Sequence, residues 1–239
     1  MREMRTITLI DHTRRYRPPD GVLDAIAQAL TIQVQRDFAP AWGVEDVRFT
    51  VGGRGDKIHF FDSAHEAEEF GWHVVDGRGL PYAHVFAAAS ITHDNGWTKG
   101  TDAVSVTASH EALEMLADPR ANEFCFDGSR RLWAREVCDP VQSRSYKIRT
   151  DDAIVPVSNF VLPAYFNPWA SAPYDHLRAL DEPFSLDAGG YAVFQRAGID
   201  HEKLGRGFGV TFDDAMPEWQ RALKLRGWGR TYWRLALNQ

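Results

Sequence analysis

The segment VSVTASHEALEMLADPR, residues 104–120, places a histidine and two glutamates within one run of apolar residues. The apolar residues recur at helical spacing and predict a helix over residues 105–117. Positions four apart share one face of a helix, so His110 and Glu114 can converge on one ion while Glu111 projects beside them. The segment therefore predicts a helix that carries a metal site.

The neighbours of this helix decide how its charges are treated. Asp118 and Pro119 end the helix, because the residue before a proline disfavours helical geometry. The apolar neighbours would bury the helix, and buried charges require a partner or a metal ion. Two interpretations stay open: a metal site, or a polar cluster paired internally with Arg131 or Arg135.

The segment REVCDP, residues 135–140, is the best source of a third ligand. Glu136 lies 22 residues after Glu114, and Asp139 follows three residues later. If Glu136 binds the metal, Asp139 can accept a hydrogen bond from His110 and hold the imidazole in its coordinating orientation. The alternative for Glu136 is a surface ion pair.

Together these motifs resemble zincin-like metallopeptidases with an HExxE-x-x-x-D-P pattern, found in bacteria and their phages. The matching residues are His110, Glu111, Glu114, Asp118 and Pro119. EVCDP is similar to the E-x-x-D segment of gluzincins, and VPVSNFVLPAYF resembles the segment after the site in phage-type members. The resemblance spans about residues 6–166. It implies an α+β, zincin-like fold, in which a mixed twisted sheet with a backing helix and an active-site helix precedes a smaller irregular C-terminal lobe.

The resemblance also implies roles for individual residues. The metal ligands would be His110, Glu114 and Glu136. Glu111 would activate a water molecule, Asp139 would orient the histidine, and Asp118 would support the site, cap the helix or coordinate. The implied cofactor is a divalent ion, Zn²⁺ in the first instance. Two carboxylates nearly neutralise a zinc ion and make its bound water less acidic. Carboxylate oxygens are also hard ligands, so manganese or calcium stays open as the bound ion.

Two further expectations concern the substrate. Zincin-like folds supply an antiparallel edge strand that aligns a peptide, and the resemblance places it at AHVFAAAS, residues 83–90. Tyr165 in LPAYF is the first candidate for a donor to the developing oxyanion, and His176 is the second. Peptides or proteins would then be the substrates.

Periodicity outlines the elements before the metal-site helix. Residues 6–12 predict a strand, and residues 20–39 predict an amphipathic helix after a break at two prolines. Residues 46–51 and 57–62 predict two strands joined by a glycine-rich turn, as a hairpin or a tight crossover. Residues 81–91 predict another strand. This order fits one sheet with a helix behind it.

Composition shifts suggest three parts: a zincin-like lobe over 1–119, a lobe completing the site over 120–196, and an aromatic and basic extension over 197–239. Within that extension, residues 217–239 carry five basic residues against one acidic residue. The extension could pack back on the domain, contact nucleic acid or dock into a larger protein assembly.

Overall composition excludes several classes of protein. The net charge of −6 over 239 residues makes nucleic-acid binding by the whole molecule unlikely. No secretion signal or membrane span is apparent, which predicts a cytoplasmic protein, or a virion component if phage-encoded, without a membrane partner. Cys125 and Cys138 are expected to be free core thiols, with a structural zinc site as the alternative. A second HExxE at residues 65–69 fits a solvated surface helix.

These observations predict a metal-dependent hydrolase, most plainly a peptidase. The alternative is a non-catalytic structural or adaptor protein, such as a phage virion component, in which the zincin-like site only stabilises the fold.

Overall fold

The computed structural model describes residues 4–45, 47–64, 70–129, 131–196, 199–205 and 208–211. The second HExxE, at residues 65–69, lies outside the described residues. Most of the aromatic and basic part of the extension, residues 212–239, also lies outside them.

The first half of the chain builds a five-stranded mixed sheet. Its strands are β1 (Arg5–Asp11), β2 (Val47–Val51), β3 (Asp56–Phe61), β4 (Gly71–Val75) and β5 (Pro81–Phe86). Their order is β2-β1-β3-β5-β4, with all neighbours parallel except β4, which runs antiparallel to β5 at one edge. The predicted mixed sheet is therefore confirmed. The predicted edge strand is wrong, because β5 lies inside the sheet and residues 83–90 continue into a helix.

The link between β2 and β3 is a tight crossover and not a hairpin. Both strands pair with β1, one on each side, so the link must pass over β1. Thr8 Oγ1 donates to the carbonyl oxygen of Arg54 at 3.2 Å. A Cβ at Gly55 would overlap the carbonyl oxygen of Thr6, and the residue has a φ of +134°. Glycine is required there by this close approach.

Four helices accompany this sheet: α1 (Val22–Gln33), α2 (Ala39–Trp42), α3 (Ala87–Ile91) and α4 (Val104–Ala117). A π-helical turn, Val34–Phe38, joins α1 to α2. The long helix predicted over residues 20–39 and the helix predicted over 105–117 correspond to α1 with its extension and to α4. Within the described residues, no helix is long and apolar enough to cross a bilayer.

The second half of the chain forms a hairpin and an antiparallel sheet. The strands are β6 (Phe124–Phe126), β7 (Arg131–Ala134), β8 (Ser145–Arg149), β9 (Ile154–Ser158), β10 (Tyr191–Arg196), β11 (Ile199–Gly205) and β12 (Phe208–Thr211). β8 pairs with β9, and the other five form a sheet of order β12-β11-β10-β7-β6. Two 3-10 turns, Asp139–Val141 and Pro163–Phe166, lie between these strands.

The core and the second sheet cross the boundaries expected from composition. Leu113 of α4 belongs to one buried cluster with Val137 and Phe160, so the boundary at residue 119 divides a shared core. β10 pairs with β11, so the boundary at residue 197 divides a sheet. Contacts between residues far apart in the sequence join these parts, and composition carries no information about such contacts.

Helix α4 is buried on nearly all sides, and two of its serines form hydrogen bonds to neighbouring elements. Ser109 Oγ donates to Gln33 Oε1 at 2.7 Å and accepts from the Ser158 backbone N–H at 3.0 Å. Gln33 Nε2 in turn donates to the Ser158 carbonyl oxygen at 3.0 Å. Ser105 Oγ donates to the carbonyl oxygen of Pro156 at 2.7 Å. These bonds fix α4 against α1 and β9, and they set which side of α4 presents its acids.

Candidate metal centre

The acidic side of α4 meets the edge strand β4. His73 points inward from β4 and is fully buried. Its Nδ1 lies 3.3 Å from Glu111 Oε2 and 3.3 Å from Glu114 Oε2, and its Nε2 lies 3.8 Å from Glu136 Oε2. His73 thus joins two residues of α4 to the predicted third ligand.

His110 lies on the other side of Glu114. Its Nε2 is 3.3 Å from Glu114 Oε1 and 3.0 Å from Asp139 Oδ1. Asp139 opens the 3-10 turn Asp139–Val141 and is completely buried. The predicted contact between His110 and Asp139 is present, but it uses the same ring nitrogen that faces Glu114. That nitrogen, Glu114 and Asp139 could therefore face one cation together.

Two sets of three side chains in the described residues could each hold a metal ion. One is His73, Glu114 and Glu136, and the other is His110, Glu114 and Asp139; within each set the ligand atoms lie within 4.8 Å of one another. The predicted set of His110, Glu114 and Glu136 is divided between them. Glu114 belongs to both, because its two oxygens face different histidines.

Hydrogen bonding supports a cation at this place. Glu114 Oε1 accepts from the Cys138 backbone N–H at 3.3 Å. Glu114 Oε2 and Asp139 Oδ2 are buried atoms that make no hydrogen bond to any described residue. A buried carboxylate oxygen without a donor is costly, and a coordinated cation removes that cost. Donors about 2.0–2.2 Å from one zinc ion stand roughly 3–3.5 Å apart, which matches the distances around His110.

Electrostatics in the cluster link the histidines to Glu114. Burial alone would lower the pKa of His110, but Glu114 and Asp139 hold it well above its usual value. Burial alone would raise the pKa of Glu114, but His110 and His73 hold it well below its usual value. The buried carboxylate therefore stays ionised and attracts positive charge, as a metal ligand must.

A cleft of about 480 Å³ opens beside the helix. Its lining residues are Phe70, Gly71, Asp102, Val106, Thr107, His110, Glu111, Gln142, Ser143, Gly189 and Tyr191. Of the two metal-binding sets, only that of His110 reaches this lining, since neither His73 nor Glu136 belongs to it. The cleft has the volume of a typical ligand pocket.

Close packing between β4 and α4 places Glu111 at the cleft. A Cβ on Gly71 would lie 2.8 Å from the His84 carbonyl oxygen, 2.8 Å from Thr107 Cγ2 and 3.1 Å from Glu111 Oε1. Glycine lets the strand approach the helix closely enough for His73 to reach Glu111. The carboxyl group of Glu111 is therefore held between the cleft and the metal-binding residues.

Asp118 serves the end of α4 in this structure. It occupies the C-cap position, and its backbone N–H donates to the Glu114 carbonyl oxygen at 2.9 Å. Its Oδ2 accepts from the Glu123 backbone N–H at 2.8 Å. Of the roles predicted for Asp118, capping is the one that these contacts support.

Tyr165 and His176 do not fit the predicted role of oxyanion donor. Tyr165 is fully buried, and its hydroxyl donates to the Ser185 carbonyl oxygen at 2.9 Å. His176 stacks on Phe160 with ring centroids 5.0 Å apart. Neither residue lines the cleft. Tertiary packing places Tyr165 in the core and half-buries His176 against Phe160, which the aromatic motif alone did not indicate.

The alternative partners considered for the cluster lie elsewhere. Arg131 stacks over the Phe194 ring, and Arg135 pairs with Glu123. Cys125 and Cys138 form no disulfide; Cys138 is buried as predicted, whereas Cys125 is only half-buried. Arg131 and Arg135 thus have other neighbours, and histidines are the cationic partners that face Glu114.

Sequence reasoning missed His73. The residue sits in GWHVV, four residues after the end of the second HExxE, and no motif in the sequence marks it as a ligand. The signal that could have found it is the run of β-forming residues around it, which predicts a strand with one buried face.

Comparisons with known proteins add no family. No protein-family model matches the chain, and neither the curated proteins nor the solved structures contain a match. The resemblance to zincin-like metallopeptidases stays a prediction, and the function is argued from the geometry.

Proposed function

We propose that the protein is a metal-dependent hydrolase that cleaves peptide bonds, with its ion held by His110, Glu114 and Asp139. The supporting observation is that this set reaches the cleft through His110, directly beside the cleft-lining carboxyl group of Glu111. The proposal keeps two of the predicted ligands and replaces Glu136 with Asp139. Asp139 is favoured because its Oδ1 lies 3.0 Å from His110 Nε2.

Glu111 has the position of a general base. Its carboxyl group lines the cleft, and its Oε2 lies 3.3 Å from His73 Nδ1. A divalent ion, when bound, lowers the pKa of a coordinated water and polarises a carbonyl group. Glu111 would accept the proton of the attacking water and pass it to the leaving amine. His73 would orient this carboxylate from the buried side.

The edge strand supports a peptide as the substrate. Among the described residues β4 pairs only with β5, and its first residue, Gly71, lines the cleft. An extended peptide can add to such an edge through backbone hydrogen bonds. Its scissile bond would then lie against α4, near Glu111. β4 takes the role that the resemblance assigned to residues 83–90.

Zinc is the ion we propose for this set. A ligand set of one imidazole and two carboxylates suits zinc and also accepts manganese or other harder ions. Adding each metal ion to the apo protein and measuring the activity that returns would rank the ions.

A paired measurement tests the function. The protein, stripped with a chelator and reloaded with zinc, should cleave an unfolded protein substrate, and Glu111→Gln should lower turnover about 10²–10⁴-fold while zinc content is retained. Glu182→Gln, at an exposed position, is the matched control and should behave as wild type. Equal turnover in Glu111→Gln and wild type would refute the proposal.

One observation favours a second, non-catalytic function. The set of His73, Glu114 and Glu136 is completely buried, as an ion that only stabilises the fold would require. A structural or adaptor protein, including a virion component, would use the site in this way. It would show metal-dependent stability, no turnover, and no effect of Glu111→Gln on its function.

A further inference from the structure

We propose that the cluster binds two divalent cations, one in each set of ligands, with Glu114 as a bridging carboxylate. The cleft-side ion rests on the function proposed above. The second ion, held by His73, Glu136 and Glu114, does not depend on catalysis. The site is thus a dinuclear centre in which one ion faces the substrate and the other is enclosed.

The orientation of Glu114 is the first argument. Its Oε1 lies 3.3 Å from His110 Nε2, and its Oε2 lies 3.3 Å from His73 Nδ1. The two histidines approach from different elements, α4 and β4, and each faces its own oxygen. A carboxylate whose oxygens face two separate nitrogen ligands has the arrangement of a bridge between two ions.

The division of the remaining acids is the second argument. Glu136 Oε2 lies 3.8 Å from His73 Nε2, while Asp139 Oδ1 lies 3.0 Å from His110 Nε2. Besides the shared Glu114, His73 therefore has Glu136, with Glu111 also 3.3 Å from its Nδ1, while His110 has Asp139. A single ion at either histidine would leave the other histidine and its acid without a cation.

Charge is the third argument. The carboxyl groups of Glu111, Glu114, Glu136 and Asp139 are all buried. These four carboxyl groups surround only two histidines. Two divalent cations can balance four carboxylates, whereas one balances two and leaves the other two to the histidines alone.

Unfilled coordination at both sites is the fourth argument. Glu114 Oε2, 3.3 Å from His73 Nδ1, and Asp139 Oδ2, on the carboxylate whose Oδ1 contacts His110, are buried and accept no hydrogen bond from the described residues. One such atom therefore lies on each side of the bridge. Each can accept a cation: Glu114 is shared by both sets, and Asp139 belongs only to the set of His110.

The second ion would position residues and would not touch substrate. Neither His73 nor Glu136 lines the cleft. His73 Nδ1 lies 3.3 Å from both Glu111 Oε2 and Glu114 Oε2, so an ion on this side fixes the carboxylates that serve the cleft. His73 and Glu136 are therefore positioning residues.

Metal stoichiometry tests the proposal. Chelator-stripped protein is reloaded with zinc, dialysed and analysed for metal per chain. Wild type should hold two ions, His73→Ala and Glu136→Gln one, Asp139→Asn one, and Glu114→Gln none. His84→Ala, on the opposite face of the sheet, is the matched control and should hold two. Circular dichroism shows whether each variant is folded, and Glu136→Gln supplies the result if His73→Ala does not fold.

Electron paramagnetic resonance gives a second measurement of how many ions the cluster holds. Reloading with Mn²⁺ should give the electron paramagnetic resonance signal of two coupled ions, and Glu136→Gln should give that of an isolated ion. One ion per wild-type chain, unchanged in Glu136→Gln, would overturn the proposal, even if the protein cleaves its substrate. Two ions without any hydrolysis would uphold the dinuclear centre and refute the hydrolase.

Discussion

Two neighbouring residues on strand β4 lie on opposite faces of the first sheet, and the two faces surround their histidines with different partners. His73 points inward to the carboxylates of α4, and Trp72 points outward, where its ring lies 4.0 Å from that of His84. Burial, with His59 and His12 nearby, lowers the pKa of His84 to about 4. On the inner face the pKa of His110 is raised by acids. The comparison teaches that the partners of a histidine, more than its burial, decide whether it can serve a cation.

The outer histidines pair with each other and with aromatic rings. His12 Nε2 lies 2.8 Å from His59 Nδ1, and His59 packs against His84 with ring centroids 5.5 Å apart. Neither of the metal-binding sets found in the described residues includes one of them. Without a carboxylate in the group, the outer face is predicted to bind metal weakly.

The largest expected effect comes from removing the acid that the inner histidines share. At a zinc concentration 100 times each dissociation constant, each bound ion should add about 2.7 kcal/mol to the free energy of unfolding of wild type. Glu114→Gln should abolish this gain, because both sets lose a ligand. Denaturant unfolding with and without zinc measures it. An equal gain in both proteins would show that the ion binds elsewhere.

Substituting Gly71 should disturb the inner face through the backbone. The added methyl of Gly71→Ala would meet the His84 carbonyl oxygen and Thr107 on α4. Overpacking of this kind costs about 1–3 kcal/mol and should displace Glu111. Gly77→Ala, where no heavy atom lies within 4 Å, is the matched control. Chemical denaturation of both variants compares them, and equal stability would contradict the close packing.

Separate substitutions of Trp72 and His73 should show that the two faces of the sheet act independently. Trp72→Ala removes an aromatic contact and should lower the free energy of unfolding by at least about 0.5–1.5 kcal/mol with no change in zinc affinity. His73→Ala should lower zinc content instead. Calorimetric titration with zinc distinguishes the variants. A loss of zinc in Trp72→Ala would mean that the faces are not independent.

A pH dependence of stability is expected from the outer face. The pKa of His84 is about 4 in the folded protein against a usual 6.5. Unfolded chains therefore bind more protons between these values, so stability falls as the pH drops from 6.5 to 4. His84→Phe should flatten this decline and leave stability at pH 8 unchanged. Unfolding midpoints at pH 5 and pH 8 measure it, and parallel curves would refute the assignment.

The helix and its acids could be predicted because they depend on local spacing. His110, Glu111 and Glu114 lie within one turn and a half of α4, so the 3.6-residue period alone brings them together. The hydrogen bond of His110 to Asp139 was also predicted, from the short distance along the chain between Asp139 and Glu136. These predictions needed no knowledge of strand pairing.

The partition of the ligands could not be predicted in the same way. His73 reaches Glu114 only because β4 pairs antiparallel with β5 at the sheet edge. Tyr165 was wrong as a donor because its hydroxyl bonds to Ser185 in the core. Both outcomes depend on contacts between segments far apart along the chain.

The sequence by itself determined helix α4, the strands β1, β2, β3 and β5, and the approach of Glu114 and Asp139 to His110, because these follow from residue spacing; it left the link after β2 open between a hairpin and a crossover. Only the tertiary structure decided that His73 enters the cluster, that Glu136 and Asp139 serve different histidines, and that one set reaches the cleft. The physical reason is that ligand sets are fixed by strand order and by the packing of β4 on α4, which bring together side chains whose separation in sequence carries no periodic signal.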